Sequence, residues 1–168
     1  MVELAALLHD IADWKYSGGD ESAGPLVAAS WLESLKVEPS TVEHVSEIIH
    51  HLSFKGAGVS SKMNTLEGQV VQDADRLDAL GAIGIARAFT VGQYFGREIY
   101  NPNIPVKLHS SLEEYKNSPG TTINHFYEKL LLLKERMNTN VGRRIAESRH
   151  KYMEEFLARF FQEWEGKI

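Results

Sequence analysis

Two groups of acidic and imidazole side chains stand out as able to do chemistry. The first is His9-Asp10, followed one helical turn later by Asp13. An imidazole beside a carboxylate suits a borderline divalent cation such as Mn, Fe or Zn. Neighbouring helix positions point about 100° apart, so both could reach one ion only at a crowded point. Taken alone, such a pair is more often a cap or a surface pair. A carboxylate that flanks a metal, as Asp13 would, can orient or deprotonate a bound water. By itself Asp13 reads as a solvated helix-end charge.

The second group is Asp73, Asp75 and Asp78, set within Gln72-Asp73-Ala74-Asp75-Arg76-Leu77-Asp78. Asp75 and Asp78 share a helix face at i,i+3. Three carboxylates opening a mostly apolar helix are costly to bury unless paired or bound to a cation. Capping and complementation of the helix dipole account for one or two of them, and Asp73 reads equally as the N-cap of the following helix. His50-His51 closes another helix. One of the pair can interact with the helix C-terminus, and the other can hold a second metal or touch a phosphate. Lys15 and Arg76 are cationic and could neutralise phosphate, or serve as surface ion pairs. His44, His109, His125 and His150 stand apart and read as structural or surface histidines. No phosphate-binding glycine loop, dinucleotide fingerprint or nucleophile elbow is present.

The elements that must position these groups read as helices. Leu4, Leu7, Leu8 and Ile11 make an apolar stripe that predicts a helix from Val2 to about Trp14, already under way at the first residue with no cap ahead of it. Asp20 and Ser22 can cap a second, from about Glu21 to Leu35. Pro39-Ser40 opens a third, carrying Val42, Val45, Ile48 and Ile49 to about His51. A loop over 52–64 leads to a fourth, about Thr65 to Ala74, and a fifth, about Leu77 to Phe95. The fifth is apolar nearly all round and is expected to be a central buried helix, with Gly81 and Gly84 marking close packing. Residues 96–120 hold Pro102, Pro105 and Pro119 and read as an irregular loop or lid. Two long helices, about Thr122 to Met137 and Asn140 to Trp164, close an all-α bundle. At ~150 residues per domain, 168 residues predict a single domain spanning 1–168, divided into metal-site helices over about 1–95, the loop, and a C-terminal helical pair over 121–168.

Composition bounds the function. There is no cysteine, so a thiol nucleophile, a disulfide framework and a Cys-ligated metal are excluded. Net charge is −5, with no long basic block, which argues against a nucleic-acid partner. No run approaches the ~18 apolar residues of a membrane span. A cytoplasmic protein with a small anionic substrate, its charge offset locally by a metal, fits this balance.

Leu7-Leu8-His9-Asp10-Ile11-Ala12-Asp13 followed by Asp73-Ala74-Asp75-Arg76-Leu77-Asp78 resembles the HD-domain metal-dependent phosphohydrolases. Within them it is similar to the compact bacterial subgroup of small stand-alone proteins regarded as nucleotide pyrophosphohydrolases. His50-His51-Leu52-Ser53-Phe54, Gly81 to Arg87, His125 to Leu130 and the helix from Phe156 to Trp164 extend the resemblance along nearly the whole chain. The resemblance implies a divalent metal, manganese first with Fe, Zn, Mg or Ni as alternatives, held by His9, Asp10 and Asp75. It implies that Asp13 assists the attacking water. Lys15, His50, His51, Arg76 and Asp78 would contact a nucleoside phosphate, from which pyrophosphate or phosphate is released. The family's first ligand, a His on an earlier helix, has no counterpart among the eight residues before His9. That predicts either a shortened start or a catalytically impaired, nucleotide-binding relative. It also predicts an uncovered apolar surface and self-association into a homo-oligomer.

Overall fold

The structure is a computed structural model that describes residues 1–13 and 17–168. The described residues are helical, with no strand among them, as the apolar periodicity predicts. They fall into two compact units, Met1–Phe54 with Ser61–Gln72, and Lys55–Ser60 with Asp73–Ile168.

The first unit is built on α1 (Val2–Leu8), α2 (Ala23–Ser34) and α3 (Pro39–Leu52). In α3, Val42, Val45, Ile48, Ile49 and Leu52 recur at i, i+3 and i+4 and are all buried, while Pro39 sits at the helix start where no N–H is needed. They pack with Ala5, Leu8, Ala28, Leu32, Met63 and Val71 into one apolar cluster. α2 starts at Ala23 rather than Glu21, because the Asp20 carboxylate accepts the Ser22 backbone N–H at 2.8 Å and its hydroxyl at 2.7 Å, folding a turn ahead of the helix.

α1 is shorter than its apolar stripe predicts. It ends at Leu8, and residues 9–12 form a turn. The His9 ring supplies a reason: its Nδ1 donates to the Ala6 carbonyl at 2.7 Å, the acceptor that the Asp10 N–H would use in a continuing helix. The expected end at Trp14 lies outside the described residues, as does Lys15.

The helix α4 (Leu66–Asp78) carries Gln72 in the first unit and Asp73 in the second. The second unit continues with α5 (Gly81–Tyr94), α6 (Leu112–Lys116), α7 (Thr122–Glu128) and α8 (Asn140–Trp164). α5 is not the buried central helix expected. Gly81, Gly84, Ile85 and Gly92 are covered, but Ile83 is 65% exposed and Tyr94 71%. Only one stripe packs on α7 and α8, and it does so closely: a Cβ at Gly92 would lie 2.2 Å from the Thr122 hydroxyl. The Gly84 position is filled by the Ala79 carbonyl, and Gly81, at φ +74°, lies against the Arg149 side chain.

Residues 96–120 contain α6 and are pinned to α7. Thr122 N–H donates to the Glu98 carbonyl at 2.9 Å, and the Asn124 amide to the Ile104 and Pro105 carbonyls at 3.0 and 3.2 Å. The expected long helix to Met137 ends instead at Glu128. Lys129 breaks it at φ −139°, ψ −62°, and two short 3-10 turns follow, Leu130–Leu132 and Lys134–Arg136. Their three-residue repeat brings Leu130 and Leu133 onto one buried side. α8 has the expected limits, with the Thr139 hydroxyl accepting the Gly142 N–H at 2.9 Å. No helix among the described residues is long and apolar enough to cross a membrane.

Candidate functional site

In the first unit the end of α1 delivers His9 and Asp10 on a turn. With Nδ1–H committed to the Ala6 carbonyl, the His9 ring directs Nε2 at the Asp10 carboxylate. That nitrogen lies 3.2 Å from the Asp10 Oδ2. Two acceptors at this separation repel unless a proton or a cation lies with them. The pair therefore suits an imidazolium or a divalent cation bound by one nitrogen and one oxygen. The carboxylate is 66% exposed and the ring 28%, so both are within reach of solvent. Asp13 is half-buried just beyond the turn. Among the described residues no group of three or more His, Asp or Glu side chains is gathered to hold a metal ion.

At the other end of α3, His50 and His51 are both exposed, with rings edge to face at 4.9 Å. They stand in the last turn, beside helix-end carbonyls that carry partial negative charge. Sequence reasoning missed what fixes this turn. Gln72 is fully buried, and its amide donates to the carbonyls of His51 at 3.0 Å and Ser61 at 3.1 Å.

In the second unit the three acidic residues separate into different roles. Asp73, only 3% exposed, is neither a cap of α5 nor open to a ligand. Its Oδ1 accepts the Asn138 N–H at 2.8 Å and side-chain amide at 3.0 Å, and its Oδ2 accepts the Thr139 N–H at 2.8 Å and hydroxyl at 2.7 Å. Asp78 is exposed and ion-paired with Arg87. Asp75 is half-buried on the turn between them.

Arg76 is buried and donates to the Arg136 carbonyl. Burial lowers its guanidinium to about 10; Asp73 pulls it back up, Arg136 lowers it further and Asp75 raises it. Arg136 in turn donates to the Val59 carbonyl at 3.2 Å and to that of Ala57. Neither Arg136 nor the Asn138-Thr139 pair carried a sequence signal for these contacts.

The HD domain family model matches residues 1–80. The Bacillus subtilis (strain 168) protein YpgQ is 36% identical over 158 residues, covering 94% of this chain and 69% of its own length. A solved HD-superfamily hydrolase from Bacillus thuringiensis is 46% identical at a TM-score of 0.66, covering 98% of this chain and 73% of that one. The structure of Bacillus subtilis YpgQ in complex with ADP is 30% identical at a TM-score of 0.68, covering 96% of this chain and 75% of that one.

Proposed function

The chain belongs to the HD domain family, and on that premise we propose that it is a metal-dependent phosphohydrolase acting on nucleoside phosphates. The observation that carries this reading is the His9–Asp10 pair, a ring nitrogen and a carboxylate oxygen 3.2 Å apart with the other ring nitrogen already committed. The family pattern assigns Asp75 as the next ligand, and the four donors on Asp73 leave Asp75 as the better choice of the two. A divalent cation, manganese first, would supply Lewis acidity toward a phosphoryl oxygen and lower the pKa of a bound water.

The chain's own groups do the rest. His9 and Asp10 present a ring nitrogen and a carboxylate oxygen. Asp13 is assigned to orient the attacking water and take its proton at a carboxylate oxygen. His50 and His51, exposed at the end of α3, are assigned to phosphate contact, with Lys15 as a further cation. Asp78, held by Arg87, is assigned to the substrate side, and Arg76 to holding the scaffold through the Arg136 carbonyl. The nucleotide class is supported by the ADP complex of the Bacillus subtilis relative.

The experiment is release of phosphate and pyrophosphate from a panel of nucleoside mono-, di- and triphosphates, with Mn²⁺ and with EDTA. The wild type should turn over only with the metal, and Asp75→Ala should abolish turnover. Turnover unaffected by EDTA and by Asp75→Ala would sink the assignment. Nucleotide binding without turnover would favour a non-catalytic HD protein on the same fold.

A further inference from the structure

We propose that the cleft beside His109 is a binding site for a small, uncharged, polyhydroxylated molecule, either a free sugar or the ribose of a nucleoside. The cleft measures about 350 Å³, within the range of small-molecule pockets. Its lining comes from residues 107–119, all in the second unit. One side chain of that lining is not explained by packing. His109 is 1% exposed, and among the described residues neither Nδ1 nor Nε2 has a hydrogen-bond partner. A buried polar group left unmet is costly, so an apolar side chain would serve the fold better. The main chain here is held from several sides. The His109 carbonyl accepts the Gly58 N–H at 3.0 Å, and a Cβ at Gly56, where φ is +126°, would lie 3.0 Å from the same oxygen. Two residues earlier, the Lys107 N–H donates to the buried Glu128 carboxylate at 3.1 Å. Only the ring has to move: the torsion about Cβ–Cγ of an imidazole is broad and two-fold, and a turn about it presents a nitrogen to the cleft over a preorganised backbone.

The chemistry of the lining selects the ligand. An anion would meet Lys107, but that ammonium stands 3.9 Å from the Glu114 carboxylate, and the exposed Glu113 shares the lining. A cation would meet Glu114, but one oxygen of that carboxylate already accepts the Ser110 N–H at 2.9 Å and hydroxyl at 3.0 Å, and the other faces Lys107. Among the described residues no three His, Asp or Glu side chains gather to hold a metal ion. The groups that remain are neutral. The hydroxyls of Ser111 and Ser118, the Asn117 amide and a neutral imidazole can each donate and accept. A ligand hydroxyl also does both. Several hydroxyls on one small frame therefore match this set, and they bring in no charge that the cleft would have to neutralise.

The test is titration of the nitrogen-labelled full chain with D-ribose, D-glucose and adenosine, read by nuclear magnetic resonance at the backbone amides and at the imidazole nitrogens. A hydroxylic probe should give saturable shifts at residues 107–119 together with a shifted His109 ring nitrogen. His109→Leu and Asn117→Ala should each weaken that binding about tenfold, the loss expected for one paired hydrogen bond. Saturation by a free sugar supports the site and identifies its ligand as a sugar. Saturation by adenosine alone, at the same residues, supports it and identifies the ribose of a nucleoside. Failure of all three probes to saturate these residues would overturn the proposal. So would saturable shifts that persist at full strength in both variants. Tighter binding of inorganic phosphate or Mn²⁺ than of the sugars at these residues would overturn the uncharged class. Asn117 is exposed, so its variant decides the question if His109→Leu does not fold.

Discussion

The buried amide of Gln72 donates to the backbone carbonyl of His51 at 3.0 Å, tying the histidine-bearing end of α3 to α4 from inside the first unit. The same amide reaches the Ser61 carbonyl at 3.1 Å, so one side chain satisfies two segments. Gln72→Met keeps the shape and removes both donors, which should cost about 1–3 kcal/mol. Gln72→Glu should cost more, because it sets a carboxylate against two carbonyl oxygens in a dry place. Urea unfolding of the three proteins checks the order wild type, Met, Glu. Equal stability of the two variants would mean that the amide's donation contributes little.

Arg136 bridges the carbonyls of Ala57 and Val59 while its own carbonyl receives Arg76. Arg136→Met should therefore release residues 55–60 locally before the rest of the second unit. The expected loss is about 1–3 kcal/mol. Hydrogen exchange resolved by mass spectrometry should show faster exchange at 55–60, with α8 still protected. Unchanged exchange there would show that the loop is held by other contacts.

The fold was legible wherever apolar spacing alone decides it. α3 and α8 have nearly the limits expected, Pro39 to about His51 and Asn140 to Trp164, because a long buried stripe overrides local detail. It was not legible where a single polar side chain competes with the backbone. His9 takes the Ala6 carbonyl and shortens α1, and Asp20 takes the Ser22 N–H and delays α2. The leucine run after Glu128 favours a helix by propensity, yet tertiary packing sets it into 3-10 turns. Of the candidate site, His9-Asp10 and the Asp-rich turn were visible from residue types. The division of labour between Asp73 and Asp75 was not. It depends on Asn138 and Thr139, which lie 65 and 66 residues away from Asp73 in sequence.

His109 is 1% exposed, and among the described residues neither ring nitrogen has a hydrogen-bond partner; its ring stands edge to face with Tyr115 at 5.7 Å. It lies beside a cleft of about 350 Å³ lined also by Lys107, Ser111, Glu114 and Asn117. Leaving a buried polar group unpaired costs about 1–3 kcal/mol, and an apolar replacement of similar size removes that cost. His109→Leu should leave the melting temperature unchanged or raise it by roughly 2–4 °C per kcal/mol recovered. A lower melting temperature would mean that the imidazole engages water or a solute from the cleft.

Glu114 gives the loop before α7 a defined acid response. Its carboxylate accepts the Ser110 N–H at 2.9 Å and hydroxyl at 3.0 Å, with the Lys107 ammonium 3.9 Å away. These contacts, the backbone N–H first, hold its carboxyl below the ordinary value of 4.5. A depressed folded value means that the stabilisation is complete above 4.5 and is lost as pH falls through the lower, folded value. The Ser110 amide resonance should therefore titrate with a midpoint under 4.5. Ser110→Ala removes the hydroxyl and keeps the N–H, so it should move that midpoint only part of the way back. Glu114→Gln should abolish the transition. A midpoint at or above 4.5 in the wild type would show that this turn is open in solution, since a fully solvated carboxylate has no reason to be depressed.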